Sequence, residues 1–261
     1  MNNILYAALT LGGMGLVFGV VLALASIYLA VKQDPRIPAI IDVLPGANCG
    51  GCGFAGCSAF ADGVVAGRAE VSGCPVGGNS VAQKVAEIMG VEVDDVRRKV
   101  ARVKCSGIDG VAQTKYEYEG IHDCIAANKL LGGDKLCPYA CLGLGTCAAA
   151  CPFDAITIEQ GVAKIDPHKC TACGKCIDIC PKKVIDFTHE SRTAWVACNS
   201  HNKGAVVNKI CGIGCIGCKI CEKACEYGAV AVERNLAEVD PDKCVNCGAC
   251  ALKCPRRVIV C

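Results

Sequence analysis

The hydrophobic pattern of the chain begins with a long apolar run that contains no charged residue. It extends from Ile4 to Val31 and is rich in Leu, Val, Ala and Gly. An α-helix over this range is about 42 Å long, more than the hydrocarbon layer of a bilayer, which is about 30 Å thick. A cleaved signal peptide is the alternative, but such peptides have a basic n-region and a shorter apolar core, and this segment has neither. We therefore expect a transmembrane anchor over residues 1–31.

Basic residues follow the apolar run directly and predict its orientation. Lys32 and Arg36 lie after it, whereas only the α-amino group precedes it. Positively charged flanks of a membrane helix stay on the cytoplasmic side. The sequence thus predicts a single-pass protein of the cell inner (cytoplasmic) membrane whose remaining domains lie in the cytoplasm.

The rest of the chain has only short apolar stretches, which predict small helices and strands rather than one large core. Apolar residues recur at helical spacing in residues 60–65 and 79–100, whereas residues 155–158 and 229–232 are predicted strands. Aromatic residues make up only 5% of the chain, too few for several ordinary cores. We expect an α+β fold in which metal–thiolate bonds contribute much of the folding energy.

Cysteine changes this picture most, because 25 of the 261 residues are cysteine. Many lie in C-x2-C-x2-C-x3-C runs, which suit metal ligands better than disulfides and indicate a reducing compartment. When Cys170 is placed over Cys244, nine cysteines coincide, and such internal repetition indicates a duplicated unit. The coinciding pairs are Cys124/Cys198, Cys137/Cys211, Cys141/Cys215, Cys147/Cys221, Cys151/Cys225, Cys170/Cys244, Cys173/Cys247, Cys176/Cys250 and Cys180/Cys254.

Charge and motifs exclude several other functions. The formal net charge is +2, so no bulk electrostatic argument supports a nucleic-acid partner. The sequence has no Walker loop, and no G-x-G-x-x-G fingerprint follows a predicted strand. We expect no catalytic side chains and no nucleotide site on this chain, so any NAD or flavin chemistry belongs to a partner.

The first cysteine cluster has the asymmetric spacing C-x2-C-x4-C-x16-C. Four thiolates at this spacing could hold zinc, but zinc sites usually pair two C-x2-C knuckles. Glycines between the ligands allow the backbone to wrap closely around a larger group. The pattern favours a [4Fe-4S] cluster on Cys49, Cys52, Cys57 and Cys74.

Runs of C-x2-C-x2-C-x3-C-P are typical of bacterial two-cluster ferredoxins, in which the fourth cysteine of each run ligates the cluster of the other run. Two runs in this chain match fully, and a third has Glu226 in place of proline. Exchange of the fourth ligands predicts three clusters. Their ligand sets are Cys170, Cys173, Cys176 and Cys151; Cys215, Cys218, Cys221 and Cys254; and Cys244, Cys247, Cys250 and Cys225.

The remaining ferredoxin-type cluster is irregular, because Leu144 stands where the repeat has Cys218. Cys137 is the nearest replacement in sequence, and Cys124 is its competitor. The predicted ligands are Cys137, Cys141, Cys147 and Cys180.

Twenty cysteines thus account for five predicted [4Fe-4S] clusters, and five cysteines have no assigned role. These five are either buried thiols left from the duplication or, for four of them, the ligands of a sixth metal site. The unassigned residues are Cys105, Cys124, Cys198, Cys211 and Cys261, and the alternative sixth site uses the first four of them.

The order of the membrane helix, the cluster motif of residues 44–74 and the tandem ferredoxin motifs resembles the B subunit of the Rnf complex, the ion-translocating ferredoxin:NAD⁺ oxidoreductase. The resemblance covers essentially the whole chain. It implies a redox component of a translocase, which takes electrons from soluble ferredoxin and passes them to membrane and flavin/NAD-binding partner subunits. A free-standing, membrane-tethered polyferredoxin of another redox complex is the alternative function, and a structural zinc protein is the alternative of another class.

The motifs also predict a division of the chain. We expect a transmembrane anchor, a linker, a [4Fe-4S] domain with a helical extension, a connector, ferredoxin-like module 1, a second linker and ferredoxin-like module 2. Their predicted ranges are 1–31, 32–43, 44–100, 101–135, 136–195, 196–210 and 211–261.

Overall fold

The computed structural model describes residues 2–28, 34–95, 97–190 and 194–261. Its first element is one long helix, α1 (Asn2–Tyr28). The window from Leu9 to Tyr28 has a mean hydropathy of 2.1, and none of it is buried against the rest of the chain. Leu16 and Phe18 are 70% and 62% exposed, a surface that suits lipid better than water. The predicted end of the anchor at Val31 lies outside the described residues.

Three short helices form the next domain. Residues 36–43 were expected in a linker, but they form α2 (Arg36–Val43), which packs on α3 (Cys57–Val65) and α4 (Gly78–Met89). Ile37, Ile40 and Val43 recur every three residues and place one face of α2 on this small core. The domain therefore begins before residue 44.

The helix predicted over residues 79–100 is shorter in the structure. Gly90 adopts a left-handed conformation (φ 68°) and ends α4 after Met89, as a C-terminal glycine commonly does. Lys99 then begins strand β1 (Lys99–Val103). This strand pairs with a strand some eighty residues later (Ile185–His189), a long-range contact that local periodicity does not reveal.

Module 1 combines short helices with two separate antiparallel strand pairs. β2 (Ile156–Glu159) pairs with β3 (Val162–Ile165), and β1 pairs with β4 (Ile185–His189). β1 and α5 (Cys124–Lys129) lie in the predicted connector, but they belong to this module by their contacts. The elements after β1 are α5 (Cys124–Lys129), α6 (Thr146–Ala149), β2 (Ile156–Glu159), β3 (Val162–Ile165), α7 (Lys175–Ile179) and β4 (Ile185–His189).

Module 2 repeats this arrangement. Its first strand pairs with its last, and its two central strands form a hairpin. The expected linker over residues 196–210 contains part of this strand and a helix, so it belongs to the module. The elements are β5 (Trp195–Val196), α8 (Gly204–Ile210), α9 (Ile220–Lys223), β6 (Val230–Glu233), β7 (Leu236–Val239), α10 (Ala249–Leu252) and β8 (Ile259–Val260).

Strand pairing gives a structural register for the duplication. Val103 of β1 pairs with Ile185, and Val196 of β5 pairs with Ile259, the counterpart of Ile185 in the repeat. Val103 and Val196 are therefore equivalent, and the cysteine two residues after each is equivalent as well. The structure thus matches Cys198 with Cys105, whereas the sequence alignment matched it with Cys124.

The segment of residues 111–114 joins the two modules. The Gln113 N–H donates to the Ile210 carbonyl of module 2 (2.9 Å), and the Gln113 carbonyl accepts from the Leu136 N–H of module 1 (2.8 Å). Bridges pair Ala112 with Cys211 and Thr114 with Lys135. The segment therefore lies like a short strand between the chain that precedes Cys137 and the chain around Cys211.

Candidate metal centres

Three of the predicted ligand sets surround separate cavities. Each cavity is lined by four cysteine thiols, and the empty volumes are about 320, 330 and 330 Å³. In two of them the fourth thiol comes from the other cysteine run of its module, as expected from ferredoxin ligand exchange. The sets are Cys49, Cys52, Cys57 and Cys74; Cys151, Cys170, Cys173 and Cys176; and Cys215, Cys218, Cys221 and Cys254.

The space inside these sets fits an iron–sulfur cluster better than a single ion. Zinc draws four thiolates to about 2.3 Å from one point. Within the described parts of the chain, no three Cys, His, Asp or Glu side chains converge in that way. The thiols surround a volume instead, and the donor set of four sulfurs is the one that [4Fe-4S] clusters use.

In the first site, Asn48 fixes the loop that carries the ligands. Its side-chain oxygen accepts the N–H of Cys57, the first residue of α3, at 2.8 Å. Gly50 and Gly53 have φ values of 76° and 82°, which glycine adopts without the cost that a side chain incurs. This curled backbone and the start of α3 enclose the cavity.

In the second site, burial is the main influence on the pKa of the Cys176 thiol. It raises the pKa of Cys176 to about 12, and the nearby thiols of Cys170, Cys173 and Cys151 raise it further. A free thiol there keeps its proton at neutral pH, so metal binding is what produces the thiolate. The Ala101 N–H points at the Cys170 sulfur (3.4 Å), a contact that tunes iron–sulfur potentials.

The third site has the same electrostatics in module 2. Burial raises the pKa of Cys221 to about 11, and the thiols of Cys215, Cys254 and Cys218 act in the same direction. Cys254 thus approaches the Cys215 run from the second run of the module.

The last predicted set of module 2 has a fifth thiol beside it. Burial raises the pKa of the Cys261 thiol, and Cys244, Cys250 and Cys247 lie close enough to influence this pKa as well. Cys225 lies at the edge of the same core, where its sulfur accepts the Ala229 N–H at 3.3 Å. Sequence spacing missed this position of Cys261, because β8 brings the chain end back to the second run.

The irregular site of module 1 contains Cys124 in the place predicted for Cys137. Burial raises the pKa of Cys147 to about 12, and the thiols of Cys141, Cys124 and Cys180 lie close enough to raise it further. Cys137 lies instead in a different cavity, described below. The ligand set with Cys137, Cys141 and Cys147 therefore stays a prediction, and this position of Cys137 argues against it.

A capping network places Cys124 at the start of α5. Asp123 caps the helix by accepting the Ala126 N–H at 2.7 Å, as N-cap acids do. Thr146 accepts the Cys124 N–H at 2.6 Å and donates its hydroxyl proton to Asp123 at 3.0 Å. Since Thr146 directly precedes Cys147, this network ties two thiol-bearing segments together.

The sites of the first domain and module 1 follow one another in space. A Cβ at Gly51 would lie 2.9 Å from the carbonyl oxygen of Cys173, so the first cluster loop packs on the second site. The thiols of Cys49 and Cys173 are close enough to influence each other. Cys176 of the second site in turn lies near Cys147 of the irregular site, so the second site is a neighbour of both other sites.

A fourth cavity, with an empty volume of about 410 Å³, lies between the two modules. It is also lined by four cysteines, and all four are outside the ferredoxin ligand sets formed in space. They are Cys105, Cys137, Cys198 and Cys211.

One exposed apolar helix, a small cysteine-loop domain and two ferredoxin-like modules define a membrane-anchored iron–sulfur protein of the polyferredoxin class. Family models agree with this class. Residues 44–76 match a model described as a putative Fe-S cluster. Residues 140–184 and 214–258 each match a 4Fe-4S dicluster domain.

Curated relatives then give the family. The chain is 47% identical, over 99% of its length and 78% of the relative's, to the B subunit of the Na⁺-translocating ferredoxin:NAD⁺ oxidoreductase complex of Acetobacterium woodii. It is 43% identical to the B subunit of the ion-translocating oxidoreductase complex of Methanosarcina acetivorans, over 99% of each chain. It is also 43% identical to the proton-translocating counterpart in Clostridium ljungdahlii, over 99% of this chain and 93% of the relative.

The chain therefore belongs to the family of B subunits of ion-translocating ferredoxin:NAD⁺ oxidoreductase complexes. The family resemblance and the α+β fold class expected from the sequence are confirmed.

Proposed function

We propose that this chain accepts electrons from reduced soluble ferredoxin and relays them through [4Fe-4S] clusters to the membrane and flavin/NAD-binding subunits of an ion-translocating complex. The observation that carries the proposal is the series of four-cysteine cavities that starts in the domain after α1 and continues through both modules. The names of the relatives specify ferredoxin and NAD⁺ as the redox couple of their complexes.

Within this proposal, the chain holds at least five clusters on twenty cysteines. Four ligand sets are those expected from sequence spacing. For the irregular set we assign Cys124 in place of Cys137, because Cys124 is the thiol beside Cys147. That set is Cys124, Cys141, Cys147 and Cys180.

A bound [4Fe-4S] cluster supplies one-electron transfer at low potential. The protein residues hold the clusters, exclude water and direct N–H groups at sulfur, which are the means by which proteins tune such potentials. The Ala101 N–H near Cys170 and the Ala229 N–H near Cys225 are two such donors. No described side chain is required for bond-making chemistry.

The orientation in the membrane follows from the charges after α1. Lys32 and Arg36 favour the cytoplasmic side for residues that follow the helix, although Asp34 pairs with Arg36 at 2.7 Å. Protease treatment of right-side-out and inverted vesicles tests this orientation. The cluster domains should be digested only in inverted vesicles.

Purification from native membranes tests the function and its runner-up together. We expect membrane and flavin-binding subunits to co-purify with a brown, oxygen-sensitive chain that reduced ferredoxin bleaches. A brown chain that purifies alone would instead favour a free-standing polyferredoxin. A colourless chain with stoichiometric zinc would contradict both functions.

A further inference from the structure

The cavity between the modules has the features of the other cluster sites, although no family model covers its cysteines. The matched ranges are 44–76, 140–184 and 214–258. Its four thiols are Cys105 and Cys137 from module 1, and Cys198 and Cys211 from module 2. Its empty volume of about 410 Å³ is similar to the 320–330 Å³ of the three regular sites.

The duplication supplies the four thiols as two equivalent pairs. Cys105 and Cys198 each follow the paired valine of an edge strand by two residues. Cys137 and Cys211 coincide in the sequence repeat. Each module thus contributes the same two positions, and the cavity lies where a site built from two related halves is expected.

Backbone N–H groups already point at two of these sulfurs. The Cys141 N–H lies 3.4 Å from the Cys105 sulfur, and the Cys215 N–H lies 3.4 Å from the Cys198 sulfur. Cys141 and Cys215 are themselves the first cysteines of the runs in the two modules. The site therefore touches a ligand of the irregular cluster on one side and a ligand of the third site on the other.

A buried cation next to the cavity favours a negatively charged occupant. Lys135 is only 2% exposed, and its ammonium donates to the carbonyls of Gly107 and Gly161, both at 2.9 Å. Among the described residues, no carboxylate forms an ion pair with it. Gly107, whose carbonyl accepts this bond, lines the cavity. A buried charge is costly unless an opposite charge compensates it, and thiolates at this site provide that charge.

Equivalent cations also lie near the other pair of thiols. The Lys182 ammonium, half-buried, donates to the Gly132 carbonyl at 2.7 Å and lies near the Cys137 thiol. Its counterpart in the repeat, Arg256, donates to the carbonyls of Cys211 and Gly214. Each module therefore has a basic side chain, Lys182 or Arg256, close to this site.

We propose that Cys105, Cys137, Cys198 and Cys211 hold a sixth [4Fe-4S] cluster, which connects the clusters of module 1 with those of module 2. The inference deepens the proposed relay and rests on it. Reduction of this cluster takes one electron from the adjacent cluster, which is oxidised by one electron. The sixth cluster would then pass this electron to a cluster of the other module, so that the sixth cluster is oxidised and the cluster of the other module is reduced.

The decisive measurement is the iron and zinc content of the full-length protein, with native mass spectrometry in detergent to count clusters. We expect about 24 irons, four in each of six clusters, and no stoichiometric zinc. About 20 irons, or one zinc beside about 20 irons, would overturn the sixth cluster and leave the relay of five clusters standing. Absence of iron would overturn both proposals.

A cysteine variant identifies the ligands. Cys198→Ser keeps an oxygen that can accept the Cys215 N–H, so the neighbouring cluster should remain. We expect this variant to lose about four irons and one electron paramagnetic resonance (EPR) signal of the reduced protein. An unchanged iron content and spectrum would contradict the assignment.

A glycine pair decides the question if Cys198→Ser does not fold. A Cβ at Gly107 would lie 3.0 Å from the Ala112 Cβ and 3.6 Å and 3.8 Å from the Cys105 and Cys211 sulfurs, whereas a Cβ at Gly212 would have Val111 as its neighbour, at 3.4 Å and beyond. Gly107 and Ala112 both line the cavity, so the added methyl of Gly107→Ala crowds its wall, and we expect this variant to release iron to a chelator faster than the control Gly212→Ala. Equal rates of iron release from the two variants would overturn the proposal.

Discussion

The substitution Thr146→Val tests the role of Cys124 without removing any cysteine. The hydroxyl of Thr146 accepts the Cys124 N–H at 2.6 Å and donates to the N-cap residue Asp123 at 3.0 Å. Valine has a similar shape but makes neither hydrogen bond. The start of α5 then loses the contact that places the Cys124 sulfur near Cys147.

The expected loss of iron affinity is estimated from the hydrogen bond that the Cys124 N–H loses. A buried donor left without a partner costs about 1–3 kcal/mol. Because the contact between Thr146 and Cys124 is only partly buried, the lower part of this range applies, about 1–1.5 kcal/mol. At 1.4 kcal/mol per factor of ten, iron at the irregular site should be held about 5- to 12-fold less tightly.

The assay is release of iron to a chelator under anaerobic conditions, followed by absorbance and by EPR of the reduced protein. About four irons per chain should leave faster in Thr146→Val than in the parent protein. Thr157→Val is the matched control, since the Thr157 hydroxyl donates a hydrogen bond to the exposed Glu159 side chain at the surface. Equal release from the two variants would refute the placement of Cys124 by this network.

Three further predictions concern other parts of the chain. Asn48→Ala removes the acceptor of the Cys57 N–H and should lower the free energy of unfolding of the first domain by about 1 kcal/mol. Urea denaturation measures this change. The control Asn79→Ala, at the exposed start of α4, should have a smaller effect. Phe60→Ala empties a site that is 2% exposed and should cost about 3–5 kcal/mol in the same assay; a cost below about 1 kcal/mol would contradict the packing of this core. In the metal-free chain, burial raises the pKa of Cys147 from 9.0 to about 12. The buried neutral thiol therefore stabilises the fold fully below pH 9, and this stabilisation decreases as the pH rises toward 12. A urea midpoint that does not decrease when the pH is raised from about 9 to about 11 would contradict this prediction.

Local spacing predicted those parts of the site that the chain closes over a few residues. Cysteines two or three positions apart, such as Cys170 and Cys173, must lie near one another wherever the chain curls. The exchanged fourth ligand, such as Cys254, was predictable because the ferredoxin-type run carries that information. These features require no knowledge of distant contacts.

Long-range folding explains what the sequence did not reveal. Cys137 is closer in sequence to Cys141 than Cys124 is, but α5 folds back so that its first residue reaches Cys147. The match of Cys198 with Cys105 required the pairing of β1 with β4 and of β5 with β8. An insertion between β1 and the first cysteine run shifts the sequence register and hides this equivalence.

The domain boundaries differ for a similar reason. Residues 36–43 have no cysteine and were expected to form a linker, yet Ile40 is fully buried against the first cluster domain. An eight-residue helix with one apolar face is a weak periodic signal, and only its packing partners make it part of a core.

The most direct test of the relay is rapid mixing of the intact complex with reduced ferredoxin, followed by freeze-quench EPR. The account predicts that signals of reduced [4Fe-4S] clusters on this chain appear before any NADH forms, and that Cys170→Ser slows NADH formation. NADH formation at the parent rate without reduction of these clusters would contradict it.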